Sequence, residues 1–207
     1  MSKIMANLRI LRAVTLAGLA VVGGSAYAFD LTAPWSSALK GATTAAAVGT
    51  CSSEVGFSPE GSAARLVVSV LDRARSRVRL AAYTFTSPDV VRRLIAAKRR
   101  GVDVAVIADA KENTGGRGAR AGQAALNLLV EAGIPVRTIS AYSIFHDKFI
   151  IADGETVETG SYNYSTAAAR RNSENAVVIS NCPSLAGAYE AHWQSRWAQG
   201  ESYRASY

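Results

Sequence analysis

The stretch FHDKFIIADGETVETGSYN, residues 145–163, contains the pattern that decides both the fold and the chemistry of this chain. The apolar residues Phe149-Ile150-Ile151 precede Asp153-Gly154 and β-branched Thr156, Val157 and Thr159 follow it, an arrangement that indicates two strands joined by a hairpin turn. Side chains at i and i+2 point to the same face of a strand, so His146 and Lys148 emerge together, while the residues that follow each of them face the other way. The stretch therefore predicts a hairpin with paired polar groups at its start.

Four polar groups converge in this stretch if the predicted hairpin closes. Ser161 and Asn163 have the same two-residue spacing as His146 and Lys148. An ammonium group, a hydroxyl and an amide can bind the oxygens of a phosphoryl group, while an imidazole supplies a nucleophile or a proton. Each residue alone also has an ordinary interpretation, as a surface histidine, a solvated lysine or a turn residue. Their joint occurrence in a six-position pattern spanning 18 residues favours a phosphoryl-transfer site.

The same stretch matches the signature of a known family, H-x-K-x(4)-D-x(6)-G-S-x-N. On this motif the chain resembles the phospholipase D superfamily, and within it the small, exported, plasmid-encoded bacterial endonucleases that tolerate EDTA. Residues 83–88, 98–104 and 192–197 extend the resemblance, which covers about residues 56–207. The matching residues of the signature are His146, Lys148, Asp153, Gly160, Ser161 and Asn163.

The resemblance implies a two-step hydrolysis of phosphodiesters through a phosphohistidine, with no metal and no other cofactor. It implies that His146 is the nucleophile in one protomer and the general acid in the other. Lys148 and Asn163 would bind phosphate oxygens, assisted by Ser161. Nucleic acid is the substrate that this resemblance implies.

Three further residues take supporting roles in what the resemblance implies. Glu174 would orient the imidazole through its far nitrogen, as an acid does in a catalytic dyad. Asp153 is expected to fix the turn rather than to contact substrate, and Gly160 belongs to the structural part of the motif. No metal ligand is assigned.

The histidine count leads to a prediction about assembly. The chain has two histidines, and only His146 lies in the signature. His192 lies in a helical context without a lysine two residues on, and we assign it to packing or to the surface. Because the implied mechanism uses two motif histidines, we predict a homodimer with one composite site on its two-fold axis.

Signals for helices and strands alternate from residue 58 onward. Caps and apolar spacing predict helices over residues 58–75, 87–100, 124–132 and 183–197. Apolar runs predict strands over residues 78–85, 102–108, 134–139 and 176–179, in addition to the hairpin. This alternation is typical of an α/β fold with a mixed, largely parallel β-sheet flanked by helices on both faces. We expect one phospholipase D-like nuclease domain over residues 57–207.

Residues 109–122 contain too many glycines for a regular element. The backbone amides of this segment and the Arg117 side chain are able to hold a phosphate. The Lys-Ser/Thr ending of a P-loop is missing, so a surface loop is the simpler interpretation.

Composition excludes several classes of protein. The chain has 207 residues, of which 49% are apolar and 19% charged, so it can form one ordinary domain with a real core and is not a disordered tail. The two Cys and two His do not have the close pairwise spacing of the usual Cys/His zinc sites, although composition leaves carboxylate sites for magnesium or calcium open.

The N-terminus reads as a signal peptide over residues 1–28, with a basic start, an apolar stretch and a small-x-small cleavage site. This segment holds three basic residues and no acidic one, so its removal lowers the net charge from +7 to +4. We expect a periplasmic or secreted protein without stable membrane association; an uncleaved inner-membrane anchor facing the periplasm is the alternative. Residues 29–56, rich in Ala, Thr, Ser and Gly, are interpreted as an arm or linker.

Cys51 and Cys182 have two interpretations. An even cysteine count in an exported protein is consistent with a disulfide, and two separate buried thiols are the alternative. Neither cysteine belongs to the signature, so the resemblance does not bear on this choice.

Two other functions are consistent with the same motif. One is a phospholipase D-type lipid phosphodiesterase, and the other is a catalytically silent nucleic-acid-binding protein of a conjugation or secretion apparatus. The net charge of +4 favours DNA or RNA modestly over lipid, and a binding protein has no need of a nucleophile. Preference among single-stranded DNA, duplex DNA and RNA does not follow from the sequence.

Overall fold

A computed structural model describes residues 51–115 and 119–205, which form eight strands and six helices. The strands are β1 Ser52–Ser58, β2 Arg77–Ala82, β3 Asp103–Asp109, β4 Val136–Ile139, β5 Lys148–Ala152, β6 Thr156–Gly160, β7 Glu174–Ser180 and β8 Glu201–Ser202. The helices are α1 Ser62–Arg73, α2 Pro88–Arg99, α3 Ala110–Thr114, α4 Ala119–Glu131, α5 Thr166–Arg170 and α6 Pro183–Gln199. Within this described part, no helix combines the length and the apolar character needed to span a membrane.

The eight strands form one mixed sheet in the order β1-β7-β6-β5-β2-β3-β4-β8. The predicted α/β fold with a mixed sheet is confirmed. Parallel pairing is confined to β2 with β3 and β3 with β4, and the other five pairings are antiparallel. The parallel share is therefore smaller than the sequence predicts, because β5 and β6 form a tight hairpin and β7 returns beside β6 in the antiparallel direction.

Helices cover both faces of the sheet, as predicted. On one face, Leu71 of α1, Leu94 of α2 and Leu126 of α4 belong to a buried cluster with Leu80 and Ile150 from the sheet. On the other face, α6 contributes Ala186 and Trp193 to a second cluster, which includes Ile107 and Ile151. The Trp193 indole also donates a hydrogen bond of 3.0 Å to the Leu80 carbonyl, which fixes α6 on the sheet.

Local capping explains where α2 begins. The Ser87 hydroxyl accepts a hydrogen bond from the Val90 amide, and Pro88 occupies the first turn, where its missing N–H is not needed. Asp89 places a negative charge near the helix N-terminus, where its interaction with the helix dipole stabilises the helix. The start predicted from Ser87-Pro88-Asp89 is thus the start that the structure has.

Several segments contain regular structure where the sequence predicts none, namely part of β1, α3, the start of α4, α5 and β8. Strand β1 pairs with β7 along its whole length, so residues 52–56 of the expected linker belong to the sheet. Most of β1 is exposed, including Val55 and Phe57, so the strand has no clear inward-facing apolar pattern to reveal it. The expected loop at residues 109–122 contains α3 and the first turn of α4. Arg117, the predicted signal peptide over residues 1–28 and residues 29–50 lie outside the described residues.

A disulfide joins Cys51 to Cys182, whose Cα atoms are 4.9 Å apart. Cys51 directly precedes β1, and Cys182 is the N-cap residue of α6. The Cys182 amide also donates a 2.8 Å hydrogen bond to the Glu155 carbonyl in the turn between β5 and β6. The bridge therefore connects the exposed edge strand to the junction between β7 and α6.

One carboxyl group lies entirely inside the core. Glu158 of β6 is 1% exposed, and its Oε2 accepts a 2.9 Å hydrogen bond from the Tyr164 hydroxyl. Burial raises the pKa of Glu158 from 4.5 to about 8, although the Tyr164 hydrogen bond opposes the shift. The carboxyl is therefore protonated in the folded protein at neutral pH.

Glu158→Gln should raise the free energy of unfolding by an amount that grows with pH. In the unfolded wild-type chain, Glu158 loses its proton above the ordinary pKa of 4.5, whereas in the folded protein it keeps the proton up to about pH 8. The free energy of unfolding of the wild type therefore falls as pH rises from 4.5 to about 8. Glutamine keeps an acceptor for the Tyr164 hydroxyl and does not ionise, so the gain should be about 3 kcal/mol at pH 7. Denaturant unfolding between about pH 5 and pH 8 measures it. Glu155→Gln, at an exposed position of the same hairpin, is the control; a gain that does not change with pH would contradict the burial argument.

Candidate active site

His146 and Lys148 lie on the same side of the chain at the start of β5. The His146 ring centroid is 4.7 Å from that of Tyr83, and Lys148 Nζ lies 5.4 Å from the same Tyr83 ring. Lys148 Nζ also donates a 2.8 Å hydrogen bond to the His146 carbonyl. His146 is exposed whereas Lys148 is buried. The imidazole is therefore accessible to a substrate, and the ammonium group next to it is fixed by its hydrogen bond.

The burial of Lys148 affects its charge. Removal from water lowers the pKa of Lys148, while the nearby carboxylates of Asp147 and Glu174 oppose that shift. An ammonium group with few waters around it interacts more strongly with an anion than an exposed lysine does. The position suits an electrostatic contact with a phosphoryl oxygen.

Asp147 and Phe149 face the opposite side, as strand alternation predicts. Asp147 Oδ2 lies 2.8 Å from His192 Nε2 of α6, and the Phe149 ring packs edge-on against Tyr189 with centroids 5.0 Å apart. His192, assigned from the sequence to packing or to the surface, is therefore a hydrogen-bond partner of the residue that follows His146. Its side chain is 38% exposed.

Gly160 ends β6 where any side chain would collide with β7. A Cβ atom at this position would lie 2.2 Å from the Asn175 carbonyl oxygen, which real contacts do not allow. That carbonyl also accepts hydrogen bonds from the amides of Ser161 and Tyr162, at 3.1 and 3.2 Å. Glycine is thus required for the close approach that turns the chain towards Ser161.

Ser161 and Glu174 form a hydrogen-bonded pair beside the hairpin. The Ser161 hydroxyl donates to Glu174 Oε2 at 2.6 Å and accepts from the Asn175 amide at 3.1 Å. Glu174 Oε1 accepts from the Asn172 side chain at 2.9 Å. Within residues 51–115 and 119–205 of one chain, the carboxylate of Glu174 is therefore bound to Ser161 and Asn172, and its action on an imidazole remains a prediction.

Asn163 has a buried amide with unused hydrogen-bonding capacity. Its side-chain Oδ1 is buried and has no hydrogen-bond partner among the described residues, while its backbone carbonyl accepts from the Ser165 amide at 2.7 Å. A side-chain amide offers an oxygen acceptor on one side and an NH₂ donor on the other, and rotation exchanges the two. A buried polar atom without a partner is unfavourable unless a ligand or a water molecule satisfies it.

Asp153 lies at the other end of β5 from Lys148 and does not belong to this group. With φ of 56°, it occupies the turn, and its carboxylate accepts hydrogen bonds from the amides of Arg75, Ser76 and Arg77. Burial raises the pKa of Asp153, but these hydrogen bonds outweigh burial, and the net shift is downward. Its contacts tie the hairpin turn to the segment that leads into β2.

Buried hydrogen bonds that the sequence did not predict fix the backbone segments next to His146 and Tyr83. Asp109, at the end of β3, accepts a 2.7 Å hydrogen bond from the Phe145 amide, one residue before His146. Asn113 donates to the Tyr83 carbonyl at 2.6 Å and accepts from the Phe85 amide at 2.9 Å. Asp109 directly follows a predicted strand, and a polar residue at the end of a buried strand is the signal that could have identified it.

A cleft of about 450 Å³ opens beside the hairpin. Its walls come from the start of β5, the end of β6 and one side of α6, and both His146 and His192 line it. No group of three or more His, Cys, Asp or Glu residues that could hold a metal ion occurs within the described segments.

Comparison with known proteins relates these features to a family. The family model described as cardiolipin synthase, PLD-like domain, matches residues 67–197. A solved structure titled as a phospholipase D family member, Nuc from Salmonella typhimurium, is 53% identical and has a TM-score of 0.72, covering 75% of this chain and 99% of that chain. NucT from Helicobacter pylori shares the fold at 20% identity, with a TM-score of 0.62, covering 74% of this chain and 100% of that chain.

Curated relatives carry lipid-related names. A protein named phospholipase D from Rickettsia bellii is 33% identical over 69% of this chain and 68% of its own length. A mitochondrial cardiolipin hydrolase from Xenopus laevis is also 33% identical, over 65% of this chain and 60% of its own length.

Proposed function

Because the chain belongs to the phospholipase D superfamily of phosphodiester-hydrolysing enzymes, we propose that it is a metal-independent endonuclease acting on DNA or RNA with little sequence specificity. The observation that carries the proposal is the placement of an exposed imidazole beside a buried ammonium group, both against Tyr83. The buried Oδ1 of Asn163 has no partner among the described residues. If rotation exchanges the amide oxygen and nitrogen, the NH₂ group at this position would donate to a phosphate oxygen.

The proposed reaction has two displacements at phosphorus. In the first, a ring nitrogen of His146 forms a bond to phosphorus while the bond to the leaving oxygen breaks, and a protonated His146 of the partner subunit donates its proton to that oxygen. In the second, the partner subunit's His146 takes a proton from water, the water oxygen attacks phosphorus, and the phosphorus–nitrogen bond breaks. Lys148 and Asn163 bind the non-bridging oxygens throughout, and the Glu174–Ser161 pair borders them.

We infer the proposed dimer from the contacts of the two histidines in one chain. His192 lines the same cleft as His146, but its Nε2 lies 2.8 Å from Asp147 Oδ2, whereas Lys148 Nζ lies against Tyr83. A second copy of His146 is then the imidazole best placed to act on the leaving group, and a two-fold axis supplies it.

A heterodimer with one wild-type and one His146→Ala subunit tests the composite site. If each reaction uses both copies of His146, the heterodimer should be at least about 10³-fold less active than the wild type. The two subunits carry different affinity tags, and a doubly tagged wild-type dimer is the control. Half of the wild-type activity would show that each chain works alone and would contradict the composite site.

DNA is favoured over lipid by the charge of the mature chain and by the resemblance to exported endonucleases. Removal of residues 1–28 would leave a net charge of +4, which attracts a polyanion. A lipid phosphodiesterase is the second candidate, since relatives are named phospholipase D and cardiolipin hydrolase. The silent binding protein is disfavoured by the accessible imidazole.

Parallel assays in EDTA distinguish these functions. Purified mature protein should nick plasmid DNA in EDTA and should release no headgroup from vesicles of phosphatidylcholine or of cardiolipin. Release of choline or phosphatidic acid without DNA cleavage would replace the nuclease with the lipid enzyme. Salt-sensitive DNA binding with no cleavage of either substrate would favour the binding protein.

The proposed location is the periplasm or the exterior of the cell, after removal of residues 1–28. The Cys51–Cys182 disulfide supports it, because such bridges persist in oxidising compartments and are rare in reducing ones.

A further inference from the structure

The cleft beside His146 extends away from the phosphate-binding group towards α6. Phe149 forms part of its wall, and Tyr189, Ala188 and His192 come from successive turns of α6. Tyr189 packs edge-on against Phe149, while the His192 ring centroid lies 6.0 Å from that of Phe149. The far wall of the cleft is thus aromatic.

Two hydrogen-bonded polar groups, the His192–Asp147 pair and the Thr159 hydroxyl, line the cleft together with these aromatic side chains. The His192–Asp147 pair, with 2.8 Å between nitrogen and oxygen, lies on one side of the cleft, and the side chains of both residues are only partly exposed. The Thr159 hydroxyl, from β6, donates to the Lys148 carbonyl at 3.1 Å. An aromatic wall with a few fixed polar groups is the usual composition of a site for a small, flat, polar molecule.

We propose that this cleft binds the nucleoside next to the scissile phosphate, with its base against Tyr189. The inference rests on the proposed nuclease function and names the part of the substrate that lies outside the phosphate site. His146 and Lys148 line the cleft together with Tyr189, so a nucleotide bound there places its phosphate at the reacting imidazole.

The dimensions and chemistry of the cleft favour a nucleoside over the apolar part of a lipid. A volume of about 450 Å³ falls within the range of small-molecule sites, about 300–1,000 Å³. The hydrogen-bonded His192–Asp147 pair in the wall is unfavourable beside an acyl chain, which cannot hydrogen-bond to it. Bases of every type stack on aromatic side chains, so the subsite is compatible with low sequence specificity.

The test compares oligonucleotides that carry either a natural base or an abasic residue at one cleavable linkage. Tyr189→Ala should lower kcat/KM for the base-containing linkage by about 10-fold to 100-fold, the effect expected from loss of one stacking contact. It should leave the abasic linkage within about 3-fold of the wild type, because that substrate has no base to lose. Tyr189→Phe keeps the ring and should behave like the wild type on both substrates.

Ala188→Trp provides a test that does not depend on removing packed atoms. Ala188 is exposed and lines the cleft, so an indole there should fill the subsite without disturbing the core. It should lower cleavage of the base-containing linkage more than that of the abasic one.

Each outcome has a defined meaning. Equal losses of kcat/KM on both substrates would overturn the subsite. Variants that change only the oligomeric state of the protein would also overturn it, since the cleft would then be a contact between two copies of the chain. A wild type that cleaves neither oligonucleotide would overturn the proposed nuclease function, and the subsite with it. A wild type that cleaves both linkages, with variants that change neither, would overturn the subsite alone.

Discussion

His146→Ala should lower the rate of phosphodiester cleavage by at least about 10⁴-fold, which is the scale of losing an enzyme's nucleophile. In the proposed dimer the substitution removes both the attacking nitrogen and the proton donor to the leaving oxygen. The His146 side chain is exposed, and its ring contact is with Tyr83, so its removal leaves no cavity in either buried cluster. Initial rates on plasmid DNA measure the loss.

Controls for this prediction show that the loss is chemical. Far-ultraviolet circular dichroism, the unfolding midpoint and the sedimentation behaviour of His146→Ala should match those of the wild type. Ser143→Ala, at an exposed position three residues earlier, should retain full activity. Cleavage by His146→Ala within about 10-fold of the wild type would mean that the nucleophile lies elsewhere.

Loss of the disulfide should have the largest effect on stability. The Cys51–Cys182 bridge closes a loop with a sequence separation of 131 residues. The chain-entropy argument assigns such a loop a stabilisation of about 5 kcal/mol, because the cross-link restricts the unfolded chain. The double variant Cys51→Ser, Cys182→Ser should lose up to this amount in denaturant unfolding.

The wild type under reducing conditions is the matched comparison, and it should unfold at the same denaturant concentration as the double variant. Strand β1 should become accessible to protease first, because most of its side chains are exposed and the bridge holds its N-terminal end. A double variant within about 1 kcal/mol of the oxidised wild type would contradict the prediction.

Short-range spacing explains what could be predicted from the sequence. The two-residue periodicity placed His146 with Lys148 and placed Asp147 on the other side, and the structure has this arrangement. The cap at Ser87 depends on neighbouring residues in the same way. Such features depend on contacts between residues a few positions apart.

Contacts between distant parts of the chain explain what could not be predicted. The Asp147–His192 pair joins residues 45 positions apart, and the Asp109–Phe145 hydrogen bond joins residues 36 apart. Neither pairing has a local pattern. Strand β1 depends on β7 for its hydrogen bonds, so its own exposed sequence resembled a linker. The smaller parallel share likewise follows from how β5, β6 and β7 fold back on one another.

The most direct test of the central claim is the stereochemistry of hydrolysis at phosphorus, measured in EDTA with a chiral phosphorothioate substrate in isotopically labelled water. Each in-line displacement inverts the configuration at phosphorus. The phosphohistidine route has two displacements, so the product should show overall retention. Inversion would show that water attacks the substrate directly, and it would contradict the proposed role of His146 as nucleophile.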